Sequence, residues 1–189
     1  TPDAYWNPMW NNANSVNNTK TFRLLLNVFA DWEIVKGLKY RLNTSFNRRD
    51  YEQGTYQNRL HEKGSTLRGT ASITNAFGYE YLIENILTYD KKINEANKFD
   101  ITLVQSTNKQ LDTKNTISGS GFSSDLLTYN AISSALKPNP ADRSITPRNL
   151  LSYMGRLRYN LLDRYLFSAS ARIDGSSVFG VNNKYGFFP

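Results

Sequence analysis

The chain has 189 residues, carries a formal net charge of +7 and contains no cysteine. The missing thiols exclude disulfides, zinc–thiolate sites and cysteine nucleophiles. Lysine and arginine are scattered along the chain instead of forming one basic run, so the charge does not predict a nucleic-acid partner. Aromatic residues make up 13% of the chain, yet its mean hydropathy is a polar −0.56. This combination is typical of strands that face lipid on one side and water on the other.

Alternation of apolar and polar residues with a period of two recurs along the chain and predicts strands. The first predicted strand runs from Phe22 to Trp32, and the second from Leu38 to about Asn47. A third ends at Tyr89, and a fourth begins near Lys98. No stretch approaches the roughly 20 apolar residues of a membrane-spanning helix, whereas a membrane strand requires only about 9–11 residues.

Two more predicted strands flank a turn at Asp163–Arg164, and a further strand begins at Tyr185. Short connections alternate with three long polar segments, at about 48–72, 110–148 and 175–184. Up-and-down membrane barrels have short periplasmic turns and long outer loops, so these three segments are predicted to be extracellular.

The pattern as a whole predicts an all-β fold. We expect residues 1–189 to belong to one domain and to supply about six or seven strands of a larger, antiparallel up-and-down transmembrane β-barrel. The alternative is a soluble, secreted β-sandwich that acts as a binding or adhesion module, in which the apolar faces would form a core.

Charged residues on the polar faces of the strands are predicted to face the barrel lumen. They are Arg23, Arg41, Glu84, Arg156, Arg158 and Arg172. The favoured interpretation is that the arginines form ladders with inward acids such as Asp31, Glu84 and Asp174. In the alternative, they steer an anionic substrate through the focused field of the lumen.

Aromatic residues near the N-terminus and in the predicted loops are candidates for ligand contact, because their rings combine apolar faces with polar edges. They are Trp6, Trp10, Tyr51, Tyr56, Phe122 and Tyr129. Packing of the loops on each other, or on a partner protein, explains the same residues. The only histidine, His61, is predicted to be exposed in a loop. Since no spacing of acids, hydroxyls or histidine fits a catalytic or metal site, neither an enzyme nor a cofactor is predicted.

Three stretches carry a family resemblance. From Asn149 onward the chain reads NLLSYMGRLRYNLLDRYLFSASARIDGSSVFGVNNKYGFFP. Glu84–Tyr89 matches an ENxLTY strand, and Asn7–Trp10 matches an NPxW element. In this order they resemble SusC/RagA-type TonB-linked outer-membrane proteins of Gram-negative bacteria.

The resemblance implies a barrel of about 22 strands closed around a plug. It also implies import of a large nutrient, an oligosaccharide or a peptide, with a SusD-like surface lipoprotein as partner and with lipid around the barrel. TonB is expected to act through the plug, and no stretch of this sequence is recognisable as part of a plug. Because an open sheet edge in lipid leaves backbone groups unpaired, this segment is expected to need the rest of its barrel.

Overall fold

The computed structural model describes residues 7–180 and 184–189. Its elements in chain order are α1 Pro8–Ala13, β1 Ser15–Val35, β2 Leu38–Gln57, α2 Glu62–Leu67, β3 Thr70–Asn94, β4 Asn97–Ser120, a 3-10 helix Thr128–Ser134, β5 Lys137–Pro138, β6 Asp142–Leu161, β7 Tyr165–Ser176 and β8 Tyr185–Phe188. Among the described residues, no helix is long and apolar enough to cross a membrane.

All eight strands belong to one sheet. Its order is β1-β2-β3-β4-β6-β7-β8, and the two-residue β5 pairs with β4 at Gly119 and Ser120. Strands that follow one another in sequence are therefore neighbours in space, as up-and-down connectivity requires. This confirms the predicted antiparallel class and the seven predicted strands; the short β5 was not predicted.

The long strands extend further than the hydropathy pattern predicts. β2 continues to Gln57 and β3 begins at Thr70, so strand and the short α2 occupy most of the segment 48–72 that was predicted as a loop. β4 likewise reaches Ser120, and β6 begins at Asp142. Polar residues keep strand pairing here, because pairing of the backbone does not need an apolar face. The extracellular location of these segments stays a prediction.

The turn between β6 and β7 is held by its neighbours. Leu161 pairs with Tyr165, so three residues form the turn, and two of them, Leu162 and Asp163, have left-handed φ values of 60° and 50°. The amide of Leu162 donates to the carbonyl of Ala96 at 2.6 Å, and Lys98 Nζ lies 2.7 Å from both carboxylate oxygens of Asp163. Hydrogen bonds from Lys98 and from Asn160 hold the pKa of Asp163 below its ordinary value.

The chain divides into two compact units. The first unit takes in the described residues up to Arg23 together with Arg49–Gly78 and Asp112–Thr146. It holds the only buried hydrophobic side chains of the described residues, Tyr56, Ala71 and Phe122. A small core therefore forms here, with Val16, Tyr129, Ile132 and Ala135 packed against it.

The second unit takes in Leu24–Arg48, Tyr79–Leu111 and the described residues from Pro147 onward. None of its described hydrophobic side chains is buried; Val28 and Phe167, for example, are 65% and 60% exposed. A sandwich would cover these side chains with a second sheet. The soluble β-sandwich considered as the alternative is therefore not the architecture of this unit.

Candidate functional site

The register of β6 and β7 sorts the residues of the second unit onto two faces. Residues directly opposite each other on paired strands share a face. Leu157 lies opposite Ala169 and Tyr159 opposite Phe167, whereas Arg158 lies opposite Ser168. One face of the sheet is thus apolar and the other polar, as the alternation predicts.

An ion pair joins β1 and β2 on the polar face. Nε and Nη2 of Arg41 donate to the two carboxylate oxygens of Asp31 at 2.5 and 2.8 Å. The guanidinium also lies 5.4 Å from the ring centroid of Phe29. Both charged side chains are about half exposed, so the pair contributes little free energy but fixes the position of the charge.

Two glutamates of β3 are held by amides from the neighbouring strands. Glu84 accepts from Asn43 Nδ2 at 2.8 Å. Glu80 accepts from Asn108 on β4 at 2.7 Å and from Asn47 on β2 at 3.5 Å. The partner of Glu84 is therefore an asparagine, although the sequence suggested an arginine.

A more buried ion pair joins β4 and β6. Nε of Arg158 donates to Asp100, whose exposure is 8%, and Thr102 Oγ1 lies 3.4 Å from the same carboxylate. Sequence analysis placed Asp100 on the polar face but did not single it out. Within the part of the chain that the structure describes, the Nε of Arg156 is buried and has no hydrogen-bond partner.

Arg172 completes the set of paired arginines. Its Nε donates to Asp174 Oδ1 at 2.7 Å, and its Nη2 donates to Ser152 Oγ at 3.2 Å. Arg23 also has a partner. These pairs support the interpretation of the polar face as a ladder over that of an unpaired basic wall. Its orientation toward a lumen stays a prediction.

An uncharged polar row lies on the apolar face and was missed by the sequence analysis. Tyr40 Oη donates to Asn85 Oδ1 at 2.6 Å, and Asn85 Nδ2 donates to Gln105 Oε1 at 2.6 Å. Gln105 Nε2 then donates to Thr107 Oγ1 at 2.9 Å. We call these four residues the amide row. The available signal was Asn85, which interrupts the apolar phase of β3 within the ENxLTY stretch.

The loop cluster of the first unit is built around two rings. Tyr56 and Phe122 pack edge to face with centroids 5.5 Å apart, and they are 2% and 1% exposed. Gly69 makes this packing possible, because a Cβ there would lie 2.8 Å from Tyr56 Oη, and its φ of +88° disfavours other residues.

Asp125 anchors the polar edge of the same cluster. Its carboxylate accepts from Tyr56 Oη at 2.7 Å and from Arg59 Nε at 3.1 Å. Burial, and the hydrogen bond to Asp125, raise the pKa of Tyr56 far above its ordinary range. Asp125 was not singled out from sequence, because it lies 69 positions from Tyr56.

The predicted ligand-contact residues have different environments. Tyr56 and Phe122 are buried, so in this conformation they pack loops and do not present a surface to a ligand. Tyr129 accepts a hydrogen bond from Asn18 Nδ2 at 3.0 Å and packs against the same cluster. Trp10 is 49% exposed and donates from Nε1 to the carbonyl of Leu60.

The other two predicted ligand-contact residues are Tyr51 and Trp6. Tyr51 lies in β2 and is half-buried, and Trp6 lies outside the described residues. Contact between a ligand and Trp10, Tyr51 or Tyr129 stays a prediction.

His61 is not exposed, which corrects the sequence prediction. It is 8% exposed and caps α2, with its Nδ1 accepting from the amide of Lys63 at 3.1 Å. Over the described ranges, no group of three or more acidic, histidine or cysteine side chains is arranged to hold a metal ion. The histidine therefore has a local structural role.

The fold and the two faces define a class of protein. A single antiparallel sheet with an exposed apolar face and a polar, hydrogen-bonded face is the wall of a transmembrane β-barrel, because only a closed barrel of strands satisfies the backbone in lipid. No family model matches the chain.

Proteins of that class are similar to the chain in sequence and in fold. The chain is 26% identical to a TonB-dependent receptor of Formosa agariphila over 97% of its own length and 18% of that protein's. It is 54% identical over 44 residues to the TonB-dependent receptor SusC of Bacteroides thetaiotaomicron, covering 23% of this chain and 4% of SusC. A solved structure of the RagAB peptide transporter shares the fold with a TM-score of 0.84 at 18% identity, over 93% of this chain and 20% of that one. These comparisons show that the chain is similar to TonB-dependent outer-membrane proteins of the SusC/RagA type. It spans less than a fifth of the length of the Formosa receptor.

Proposed function

We propose that the chain forms part of the barrel wall of a TonB-dependent transporter that imports a large nutrient, an oligosaccharide or a peptide, across the outer membrane. The observation that carries the proposal is the division of one sheet into an exposed apolar face and a paired polar face. In a barrel, the first face contacts lipid and the second lines a water-filled, plugged lumen.

The polar face lines the lumen and recognises the substrate, and it carries out no covalent chemistry. Its charges are held in pairs such as Arg41 with Asp31 and Arg172 with Asp174, which leaves a surface of low net charge. Such a wall suits a large polar substrate, since it offers hydrogen bonds without a strong field that would retain an ion. The RagAB structure is described as that of a peptide transporter, which supports keeping peptides beside oligosaccharides as substrates.

The first unit has a surface suited to a protein partner. Leu126, Leu127 and Leu136 are 90%, 65% and 72% exposed. Leu126 and Leu127 are adjacent in sequence, and neighbouring exposed apolar side chains mark protein–protein contacts more often than bare solvent surface does. We assign this surface to a SusD-like surface lipoprotein that closes over the barrel.

The orientation of the sheet is tested with two neighbouring cysteines in the full-length transporter. Ser168 and Ala169 are adjacent, small and exposed, and they lie on opposite faces of β7. A membrane-impermeant thiol reagent is expected to label Ser168→Cys through the aqueous lumen and to spare Ala169→Cys in lipid. Ser133→Cys, exposed in the 3-10 helix, is the labelled control. Equal labelling of both β7 positions, or labelling of Ala169→Cys alone, contradicts the proposal.

The partner and the transport activity require separate experiments. We expect Leu126→Arg to reduce co-purification of the surface lipoprotein with the full-length transporter, whereas Leu60→Arg, at a residue 56% exposed in the same unit, leaves it unchanged. Uptake of labelled oligosaccharide and peptide mixtures by cells with and without TonB then identifies the substrate class. TonB-independent uptake of both mixtures would contradict the proposed activity.

A further inference from the structure

A groove of about 520 Å³ crosses the apolar face of the second unit, from Tyr40 on β2 to Phe187 on β8. Gly155 and Ala171, which lie opposite each other on β6 and β7, form part of its floor. Tyr153, two residues from Gly155 on the same face, forms part of its wall. The small side chains of Gly155 and Ala171 leave space between larger neighbours such as Tyr153.

The lining of the groove carries no charge. All of its lining residues are uncharged, and most are aliphatic or aromatic. A groove of similar size on the polar side, about 540 Å³, is instead lined by charged residues that include Lys98, Asp100 and Arg158. By charge complementarity, the groove on the apolar face suits a neutral occupant and the groove on the polar side does not.

The amide row forms the polar part of the lining, through Tyr40, Asn85 and Gln105. The hydroxyl of Tyr40 and one hydrogen of each amide nitrogen are used within the row. Polar groups that satisfy each other in this way can face hydrocarbon at low cost, whereas unsatisfied ones cannot. The row therefore tolerates an apolar occupant.

We propose that this groove holds one acyl chain of an outer-membrane lipid. The inference rests on the membrane orientation of the apolar face in the proposed function, because that orientation places the groove against hydrocarbon. An unfilled groove would forfeit dispersion contacts along its lining, and a flexible hydrocarbon chain restores them. A lipid held there is more strongly retained than lipids that contact the apolar face outside the groove, for example at Leu157.

The test compares two alanines of β7. Ala171 lines the groove, whereas Ala169, on the same face, does not. Full-length transporter is purified in mild detergent, incubated with palmitoyl-oleoyl phosphatidylethanolamine and analysed by native mass spectrometry. We expect wild type and Ala169→Leu to retain a bound lipid that Ala171→Leu loses, because the added side chain fills the groove.

A second pair of variants opens the groove instead of filling it. Tyr153→Ala removes part of the wall and is expected to lose the lipid, while Tyr165→Ala, at a similarly exposed tyrosine on the same face, retains it. Each variant is also combined with Ser168→Cys or with Ala169→Cys and labelled with the membrane-impermeant thiol reagent. The Ala169→Leu variant is combined with Ser168→Cys alone. If position 168 labels, position 169 does not, and Ala171→Leu and Tyr153→Ala still retain the lipid, the groove inference alone is overturned. If the labelling pattern itself differs from this expectation, the proposed orientation is overturned as well. If wild type retains no lipid, or if Ala171→Leu separates a dimer without changing the lipid count, the occupant is not an acyl chain.

Discussion

The two units of this chain place hydrophobic side chains in opposite environments, although the same strands pass through both. In the first unit, Tyr56 and Phe122 are almost fully buried against each other. In the second unit, Val28 and Phe167 remain more than half exposed. Apolar surface has to be removed from water in either case, and the first unit does this with its own loops. In the proposed membrane orientation, the second unit leaves that role to the surrounding lipid.

The comparison shows why burial alone misleads for such a chain. A count of buried residues would rank the second unit as poorly folded, yet its polar face is an ordered set of pairs that includes Asp100 with Arg158 and Glu84 with Asn43. Strand pairing and these cross-strand contacts define that unit, whereas side-chain packing defines the first.

The largest expected effect comes from removing a ring of the loop cluster. Phe122→Ala is expected to lower the free energy of opening the cluster by about 3–5 kcal/mol, since it deletes a buried aromatic side chain. Amide hydrogen exchange of the full-length protein measures this opening. Phe77→Ala, at a ring 42% exposed in the same unit, is the control and should change it little. Equal effects of the two substitutions would show that the cluster is not a core.

The apolar face is tested by a cation placed in lipid. Leu26→Arg is expected to cost up to about 4 kcal/mol of insertion free energy, the upper end for a cation at the midplane of the bilayer. Leu25→Arg, the adjacent leucine of similar exposure, has the phase of Phe29 and Asp31 on the polar face and is expected to insert normally. The folded fraction is measured by heat-modifiable mobility on gels. A lower folded fraction for Leu25→Arg than for Leu26→Arg would invert the assignment of the two faces.

The hydrogen bond between Tyr56 and Asp125 provides a pH-dependent test of the first unit. The folded state raises the pKa of Tyr56, so its contribution to stability is complete below the ordinary tyrosine pKa of about 10 and is lost as pH rises above it. Tyr56→Phe is expected to cost about 1 kcal/mol at neutral pH and to remove this alkaline component. Proteolysis of the loops as a function of pH measures both effects, and an unchanged alkaline profile in the variant would assign the dependence to another group.

The smallest expected effect concerns the ion pairs of the polar face. A double-mutant cycle on Asp100 and Arg158 is expected to give a coupling below about 1 kcal/mol, since the arginine remains more than half exposed. The pair Asp31 and Arg41, in which both partners are about half exposed, should couple more weakly still. Chemical unfolding of the barrel in lipid vesicles measures both values. The opposite ranking would show that the exposure of the carboxylate does not govern the coupling.

Sequence reasoning could assign a residue to one face of a strand where the assignment depended on local phase. Arg41, Arg158 and Arg172 were assigned to polar faces, and each has an acidic partner in the structure. For Tyr56 and Phe122 it left ligand contact and loop packing both open, because a ring in a polar stretch has the same sequence signature whether it is exposed or packed. It also missed the amide row, whose members come from three different strands.

The sequence by itself determined the strand class, the up-and-down order of the long strands, the division into two faces and the family resemblance. These properties follow from a period of two and from short connections, both of which are readable within a few neighbouring residues. Only the tertiary structure decided how far the strands extend, that Asp125 meets Tyr56, that Asn43 meets Glu84 and that Gly155 and Ala171 open a groove. Each of these depends on residues brought together by strand pairing or loop packing from distant parts of the chain, and hydropathy along one strand does not encode such encounters.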